Sequence, residues 1–126
     1  MSRSRGTIFL NLQGRAREAM ERYREIFGGV LEVEPASRKE RVAHARLEAT
    51  GIVLLASDGH PDYPARVGDN VAVVVEGNDR EWLSGVFRAL ADGGGIQMPL
   101  TEMSGVETGW LTDRFGIHWT VRIEAA

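Results

Sequence analysis

The stretch AREAMERYREIFGG, residues 16–29, decides the fold because it contains one complete amphipathic helix and the signal that ends it. Its apolar side chains recur at helical spacing among Arg and Glu, which predicts a helix over residues 16–27 with one buried face. These apolar residues are Ala16, Ala19, Met20, Tyr23 and Phe27. Gly28 and Gly29 end the helix, because glycine tolerates the left-handed backbone of many helix C-termini.

The second half of the chain repeats this pattern. Residues 80–91 predict another helix, which Asn78 or Asp79 is suited to cap and which the glycines at 93–95 end. Its apolar stripe contains Trp82, Leu83, Val86, Phe87, Leu90 and Ala91. A shift of 65 residues places Gly28-Gly29 on Gly93-Gly94 and Gly51-Ile52 on Gly116-Ile117. Each pair falls at an equivalent joint, a helix end or a hairpin turn, which indicates an internal duplication.

The segments around the two helices are β-rich. They are residues 7–13, 30–34, 41–49, 52–57, 70–76, 96–100 and 117–123, with a further short strand around Trp110. The order is strand, helix and three strands, twice over. We therefore predict an α+β fold of tandem βαβββ modules in a single domain, residues 1–126. Module 1 spans about residues 6–57, a linker spans 58–69, and module 2 spans about 70–124.

Composition restricts the class of function. The 126 residues are 43% hydrophobic and 26% charged, as in ordinary globular chains, and the net charge of -3 gives no basic footprint for nucleic acid. No apolar run approaches the roughly 20 residues of a membrane helix, and the N-terminal segment is too short and polar for a signal peptide. Without cysteine there is no disulfide and no thiolate nucleophile. We expect a cytoplasmic protein with neither a nucleic-acid nor a membrane partner.

Several motifs, in order over nearly the whole chain, resemble the vicinal oxygen chelate superfamily, and most closely its PhnB-like branch. They are residues 14–19 with Tyr23 and 27–29, then 42–47, 54–58, 98–100 and 113–119. The resemblance implies paired βαβββ modules whose curled mixed sheets surround a ligand cavity, usually in a homodimer. The modules pair either within one chain or across that dimer. The superfamily includes glyoxalase I, bleomycin-resistance proteins and extradiol dioxygenases, so the resemblance implies a fold more than a reaction.

Catalytic members of the superfamily hold a divalent ion with His, Gln and Glu from the first and last strands of both modules. By resemblance, these places fall on Ile8 or its neighbours, Leu54 or Leu55, residues 70–73 and Thr120. Leucine and valine cannot coordinate a cation, and Thr120 stands where Glu is expected. We therefore expect no metal site of this kind and no other cofactor.

A relocated metal site stays open as an alternative. Its donors would be drawn from His44, His60 and His118 with Asp58, Asp62 or Glu107, a spacing that matches no metal motif.

The last predicted strand alternates cleanly. Ile117, Trp119, Val121 and Ile123 point one way, under the helices, and His118, Thr120 and Arg122 point the other way. The polar set is expected either to line the ligand cavity or to face solvent, with His118 bonding a neighbouring strand in the second case. An Arg and a His in one cavity suit an anionic or carbonyl-bearing ligand.

Other candidates come from the loops and the variable segment. Related proteins commonly carry Phe-Trp-Gly where this chain has Met103-Ser104-Gly105, so Met103 and Trp110 are the expected apolar walls. The linker reads as a loop in which Tyr63 can act as part of a lid. Trp82 is expected in the core, and residues 113–116 read as a turn. The predicted ligand-binding residues are Asn11, Tyr63, Met103, Trp110, His118, Thr120 and Arg122.

No catalytic residue is identified with certainty. His118 and His44 are the candidate bases, and a structural role is the alternative for each. His44 is predicted to share a strand face with Val42 and Arg46, opposite Ala43, Ala45 and Leu47. No serine lies in a Gly-x-Ser-x-Gly motif, so nucleophilic catalysis is disfavoured.

These observations lead to two main hypotheses. The first is a metal-free, dimeric small-molecule-binding protein of the PhnB-like type, which sequesters an organic or antibiotic ligand as bleomycin-resistance proteins do. The second is a metal-dependent lyase, isomerase or dioxygenase that keeps its ion through relocated ligands. A scaffold subunit without a small ligand is a third reading, for which the sequence gives no positive signal.

Overall fold

The computed structural model describes residues 4–35 and 41–125 of the chain. The chain divides into two compact units, residues 1–66 and 67–126, so the boundary falls inside the segment expected to be a linker. Each unit contains one helix and one four-stranded mixed sheet, and the α+β prediction is confirmed.

The first unit follows the predicted order of strand, helix and three strands. Its elements are β1 (Ile8–Asn11), α1 (Ala16–Phe27), β2 (Val30–Pro35), β3 (Val42–Ala49) and β4 (Ile52–Ser57). The sheet order is β1-β4-β3-β2, in which β1 runs parallel to β4 and the other neighbours are antiparallel. The first strand therefore pairs with the last strand of its unit.

The second unit has the same topology. Its elements are β5 (Val73–Gly77), α2 (Arg80–Ala91), β6 (Gly95–Met103), β7 (Val106–Thr112) and β8 (His118–Ile123). The sheet order is β5-β8-β7-β6, with β5 parallel to β8 and the other pairs antiparallel. The duplication read from the glycine pairs is thus present as two copies of one βαβββ arrangement.

Both helices have the predicted bounds, whereas several strands differ. β1 ends at Asn11 because Gln13 adopts a positive φ of 49°, which a strand cannot continue. β6 runs to Met103, well past the predicted end at Leu100, and its pairing with β7 shifts register around Met98. β7 is a full seven-residue strand where only a short one was expected. The register shifts around Pro99 break the alternation on which a strand prediction depends.

Each unit buries its own apolar core beneath its helix. In the first unit Met20 and Tyr23 from α1 are buried with Leu47 and Leu54 from the sheet. In the second unit the corresponding fully buried side chains are Leu83, Leu111, Trp119 and Val121. The predicted alternation of β8 is confirmed, because Trp119, Val121 and Ile123 are buried while His118, Thr120 and Arg122 are half-buried.

Two predictions about packing are wrong. Trp82 is 46% exposed instead of lying in the core, because α2 turns Leu83, Val86, Phe87 and Leu90 inward. Val42 is buried on the same side as Ala45 and Leu47 and does not share the face of His44. The pairing of β2 with β3 shifts between Glu34 and Pro35, and this irregularity inverts the alternation at the start of β3.

The predicted joints are confirmed in detail. Asp79 caps α2, since its carboxylate accepts the Trp82 N–H at 3.1 Å. Gly28 closes α1 with a φ of 75° and donates its N–H to the Arg24 carbonyl. The turn at residues 113–116 is closed by the Gly116 N–H bonding the Asp113 carbonyl at 3.0 Å. The Asp113 carboxylate also accepts the Trp119 indole N–H at 2.9 Å, which links this turn to the core.

Equivalent glycines in the two units mark close approaches of the backbone. A Cβ at Gly29 would overlap the Glu48 carbonyl oxygen, and a Cβ at Gly94 would overlap the Thr112 carbonyl oxygen. Gly94 has no left-handed φ, so only the lack of space at this position requires glycine.

We predict that Gly94→Ala destabilises the fold by about 1–3 kcal/mol, the usual cost of forcing extra atoms into a filled space. Gly95→Ala is the matched control, because a Cβ at this position would approach only the flexible Gln97 amide, at 4.0 Å. Urea denaturation followed by circular dichroism measures both variants. Equal stability of the two variants would show that the backbone approach at Gly94 is not tight.

Candidate functional site

The structure places the predicted ligand-binding residues in two separate locations. Asn11 and Tyr63 line one cavity in the first unit. Met103, Trp110, His118, Thr120 and Arg122 belong to the sheet of the second unit. Their assignment to ligand binding stays a prediction, and each location is described by itself.

The second-unit residues lie on what we call the open face, the side of the β5–β8 sheet opposite the buried Trp119, Val121 and Ile123. Across this face, Thr120 is paired on one side with Val74 and on the other with Trp110. Val74 is 51% exposed and Trp110 is 41% exposed, so the two form an accessible apolar surface around the Thr120 hydroxyl.

Not every predicted wall residue joins this group. Met103 pairs with Val106, four residues before Trp110 on β7, and four residues of strand span about 13 Å. Met103 and Trp110 are therefore exposed on one face without standing side by side. Arg122 is held by Glu76, with Nη1 and Oε1 2.7 Å apart on neighbouring strands.

His118 has both ring nitrogens engaged. Nε2 lies 2.8 Å from the Gly68 carbonyl oxygen, which can only accept, so Nε2 carries a proton. Nδ1 lies 2.9 Å from the Thr112 hydroxyl, whose single proton is shared between this contact and Gln97 Oε1 at 3.2 Å. A general-base role would require one of these contacts to break. His44 is exposed on β3, and its role as a base stays a prediction.

The first-unit cavity has a volume of about 260 Å³, at the small end of ligand pockets. Its walls come from the end of β1 and the turn after it, from the segment after β4, and from Arg41. The lining residues are Asn11, Gln13, Gly14, Arg41, Asp58, Gly59, His60, Pro61, Tyr63, Pro64 and Ala65. These segments meet because β1 and β4 run parallel and end together, with Asn11 paired with Ser57.

Asp58 fixes one wall of this cavity. It is 7% exposed, and its two carboxylate oxygens accept the Ala16 N–H at 2.8 Å and the Val42 N–H at 2.7 Å. The first bond satisfies a free N–H at the start of α1, where Arg15 makes no side-chain cap. Asp58 thus joins the first turn of α1 to the start of β3.

Asn11 is held just as closely. Its Oδ1 accepts the Gln13 N–H at 3.1 Å and so closes the left-handed turn at Gln13. A Cβ at Gly59 would come 2.6 Å from that same oxygen, so the neighbouring backbone leaves room for glycine alone. The Asn11 side chain is therefore bonded to the Gln13 turn and lies against the Gly59 backbone.

The rim of the cavity is formed by a short turn in the linker. The Tyr63 N–H bonds the His60 carbonyl, and the Asp62 N–H is 3.1 Å from His60 Nδ1. The rings of His60 and Tyr63 are tilted, with centroids 5.5 Å apart. Tyr63 is 77% exposed and presents most of its ring at the cavity entrance.

Sequence reasoning missed the roles of Arg41, Gln13 and Asp58. The sequence predicts Asp58 only as a loop residue or a metal donor, because its bonds to residues 42 and 16 positions away leave no local pattern. The dipeptide Gln13-Gly14 is the one signal that could have indicated a turn at the cavity.

The residues at the superfamily's metal positions do not fit a divalent ion. Leu54 and Val73 are buried hydrocarbons, and Thr120 stands between Val74 and Trp110. Among residues 4–35 and 41–125, no three His, Asp or Glu side chains come together as a metal group would need.

Three of the six alternative metal donors already have partners within the protein. Glu107 forms an ion pair with Arg80, both Asp58 oxygens accept backbone N–H groups, and both His118 nitrogens are bonded. None of the helices in the described part of the chain is long and apolar enough to cross a membrane.

Two units of strand, helix and three strands, each with a parallel first–last strand pair, agree with the paired βαβββ modules that the resemblance to the vicinal oxygen chelate superfamily implies. Residues 4–122 match the family model described as 3-demethylubiquinone-9 3-methyltransferase. The chain belongs to this family, the PhnB-like branch of the superfamily.

Solved structures agree with this assignment. The crystal structure of PA1353 from Pseudomonas aeruginosa is 34% identical, with a TM-score of 0.88 over 98% of this chain and 99% of that one. The putative 3-demethylubiquinone-9 3-methyltransferase, PhnB protein, from Bacillus cereus is 25% identical, with a TM-score of 0.80 over 95% of this chain and 99% of that one.

A more distant likeness shows the fold alone. The fosfomycin resistance protein FosX from Listeria monocytogenes, complexed with Mn(II) and sulfate, is 9% identical, with a TM-score of 0.68 over 98% of this chain and 93% of that one. A search among curated proteins finds no match.

We predict that Asp58→Asn destabilises the protein by about 1.5–3 kcal/mol, the usual worth of hydrogen bonds to a charged group. The Asn side chain keeps one oxygen to accept one of the two backbone N–H groups. Its NH2 group then faces the other backbone N–H, and two donors cannot bond each other. Asp62→Asn is the control, because this carboxylate is 80% exposed in the same loop. Thermal unfolding compares the two, and an equal effect would contradict the anchoring role of Asp58.

Proposed function

We propose that this protein binds a small organic molecule without the help of a metal ion. The observation that supports this most directly is the chemistry of the strand positions where the superfamily holds its ion. Leu54 and Val73 are buried hydrocarbons there, and Thr120 offers only a hydroxyl. Binding energy must then come from apolar contact and hydrogen bonds.

The open face of the second unit provides apolar contact of this kind. Trp110 and Val74 supply exposed apolar area on either side of Thr120, and the Arg122–Glu76 pair lies along the same strands. Exposed aromatic area beside a few fixed polar groups is the usual composition of a ligand surface. A flat, largely apolar ligand with one acceptor near Thr120 suits this arrangement.

Sequestration of such a ligand, an antibiotic among the candidates, is the concrete form of the proposal. A homodimer is part of it, and light scattering measures the mass in solution. The reaction in the family's description is not carried over, because a shared fold establishes no chemistry. The alternative function is that of a metal-dependent lyase, isomerase or dioxygenase, and evidence for such an activity would replace the proposal.

The first test measures metal content. Protein purified without chelator is expected to carry no stoichiometric Zn, Ni, Mn or Fe by elemental analysis, because the donor set does not fit these ions. A tightly held ion that is lost in His118→Ala together with a catalytic activity would overturn the proposal.

The second test uses N-phenyl-1-naphthylamine, a neutral apolar dye that fluoresces when bound. We expect Trp110→Ala to weaken dye binding about tenfold, since losing one aromatic wall costs about 1.4 kcal/mol. Trp82→Ala is the matched control, because Trp82 is equally exposed but lies on α2.

The dye titration is repeated with EDTA, which is expected to change nothing. Equal weakening by Trp110→Ala and Trp82→Ala would contradict a ligand surface on the open face. Loss of dye binding on chelation would contradict metal independence.

A further inference from the structure

We propose that the first-unit cavity binds the anionic head of a small organic ligand, a carboxylate in the simplest case. This cavity is a different site from the open face, so the inference goes beyond the proposed function and names the chemical class that the cavity binds. The inference comes from counting which hydrogen-bonding groups of the wall are already used and which are left.

Four acceptor atoms of the wall each already receive a backbone N–H. Both oxygens of Asp58 accept N–H groups, from Ala16 and Val42. Asn11 Oδ1 accepts the Gln13 N–H, and His60 Nδ1 accepts the Asp62 N–H. A ligand donor can use only the second lone pairs of these oxygens, in competition with the backbone N–H groups that already bind there.

The donors of the same residues remain. Because Asn11 uses its oxygen, its Nδ2 amide hydrogens are left to donate. Because His60 accepts at Nδ1, its neutral ring carries the proton on Nε2. Arg41 adds a guanidinium with up to five N–H donors in a planar fork that matches a carboxylate.

Charge favours the same class of ligand. Arg41 is half-buried at the cavity, and no carboxylate in the described part of the chain forms an ion pair with it. The Asp58 carboxylate is the opposing charge, and its two short bonds to backbone N–H groups offset it locally. A ligand anion can therefore form an ion pair with the Arg41 guanidinium and leave the two backbone hydrogen bonds of Asp58 in place.

The remaining walls set the size and shape of the ligand. Pro61, Pro64 and Ala65 give an apolar side, and the exposed ring of Tyr63 lies at the entrance. A cavity of about 260 Å³ suits a compact body such as one ring. The Gly59 backbone and the Gln13 turn hold Asn11 in place before the ligand arrives, which reduces the ordering cost of binding.

The test is an NMR titration of ¹⁵N-labelled protein with sodium benzoate and with neutral benzamide, at constant ionic strength. The two probes have nearly the same shape and differ in the charge of the head. We expect benzoate to shift the amides of Gly14 and Gly59, which lie in the cavity wall. Benzamide is expected to bind at least about tenfold more weakly.

Two variants and one control test whether benzoate binds through the residues of the cavity wall. Asn11→Asp keeps the oxygen that accepts the Gln13 N–H but replaces the donor amide by a second oxygen, so the turn is kept while benzoate binding falls about tenfold or more. Arg41→Met is expected to weaken benzoate binding by a similar factor. Arg17→Met removes the same charge from the exposed side of α1 and is expected to leave binding unchanged.

The outcomes separate this inference from the proposed function. Equal binding of benzoate and benzamide, or no cavity shifts with either, would overturn the anionic class while leaving dye binding to the open face unaffected. Equal weakening by Arg41→Met and Arg17→Met would show a general charge effect and would also overturn it. If Arg41→Met does not fold, Asn11→Asp decides the question.

Discussion

The parallel pairing of the first strand with the last strand in each unit is the constraint on which the other features depend. A parallel pair needs a crossover connection, and the helix with the two intervening strands provides it. In the first unit the pairing of β1 with β4 brings Asn11 beside Ser57, and so brings the two segments of the cavity wall together. In the second unit the pairing of β5 with β8 places Val74 beside Thr120. Both candidate sites therefore depend on the same kind of parallel strand pair.

The fold was predictable to the extent that its signals are local. The helix bounds follow from apolar periodicity and terminal glycines, and the alternation of β8 follows from residues 117–123. Trp82 was misplaced because an apolar stripe on a helix is wider than the part that the sheet covers. Val42 was misplaced because a register shift against the partner strand is not encoded in β3 itself. Both misplacements concern which side chains are covered, and neither concerns which elements form.

The candidate sites were predictable only in part, because they depend on bonds between residues far apart in the chain. Polar residues of β8 were correctly expected opposite the core, but the engagement of both His118 nitrogens depends on Gly68, 50 residues earlier. Asn11 and Tyr63 were selected separately and lie at one cavity. The polarity of that cavity depends on which backbone N–H groups reach Asn11, Asp58 and His60, and no pattern in the sequence records this.

The two helices differ in where their first turns find support. α2 is capped by Asp79, the residue directly before it, whereas the first N–H of α1 is satisfied by Asp58, 42 residues further along. The second helix therefore carries its own start signal, but the first obtains one only after the chain has returned through three strands. Any shortened version of the first unit must extend past Ser57, because a boundary drawn at the end of β4 would leave the opening turn of α1 to fray.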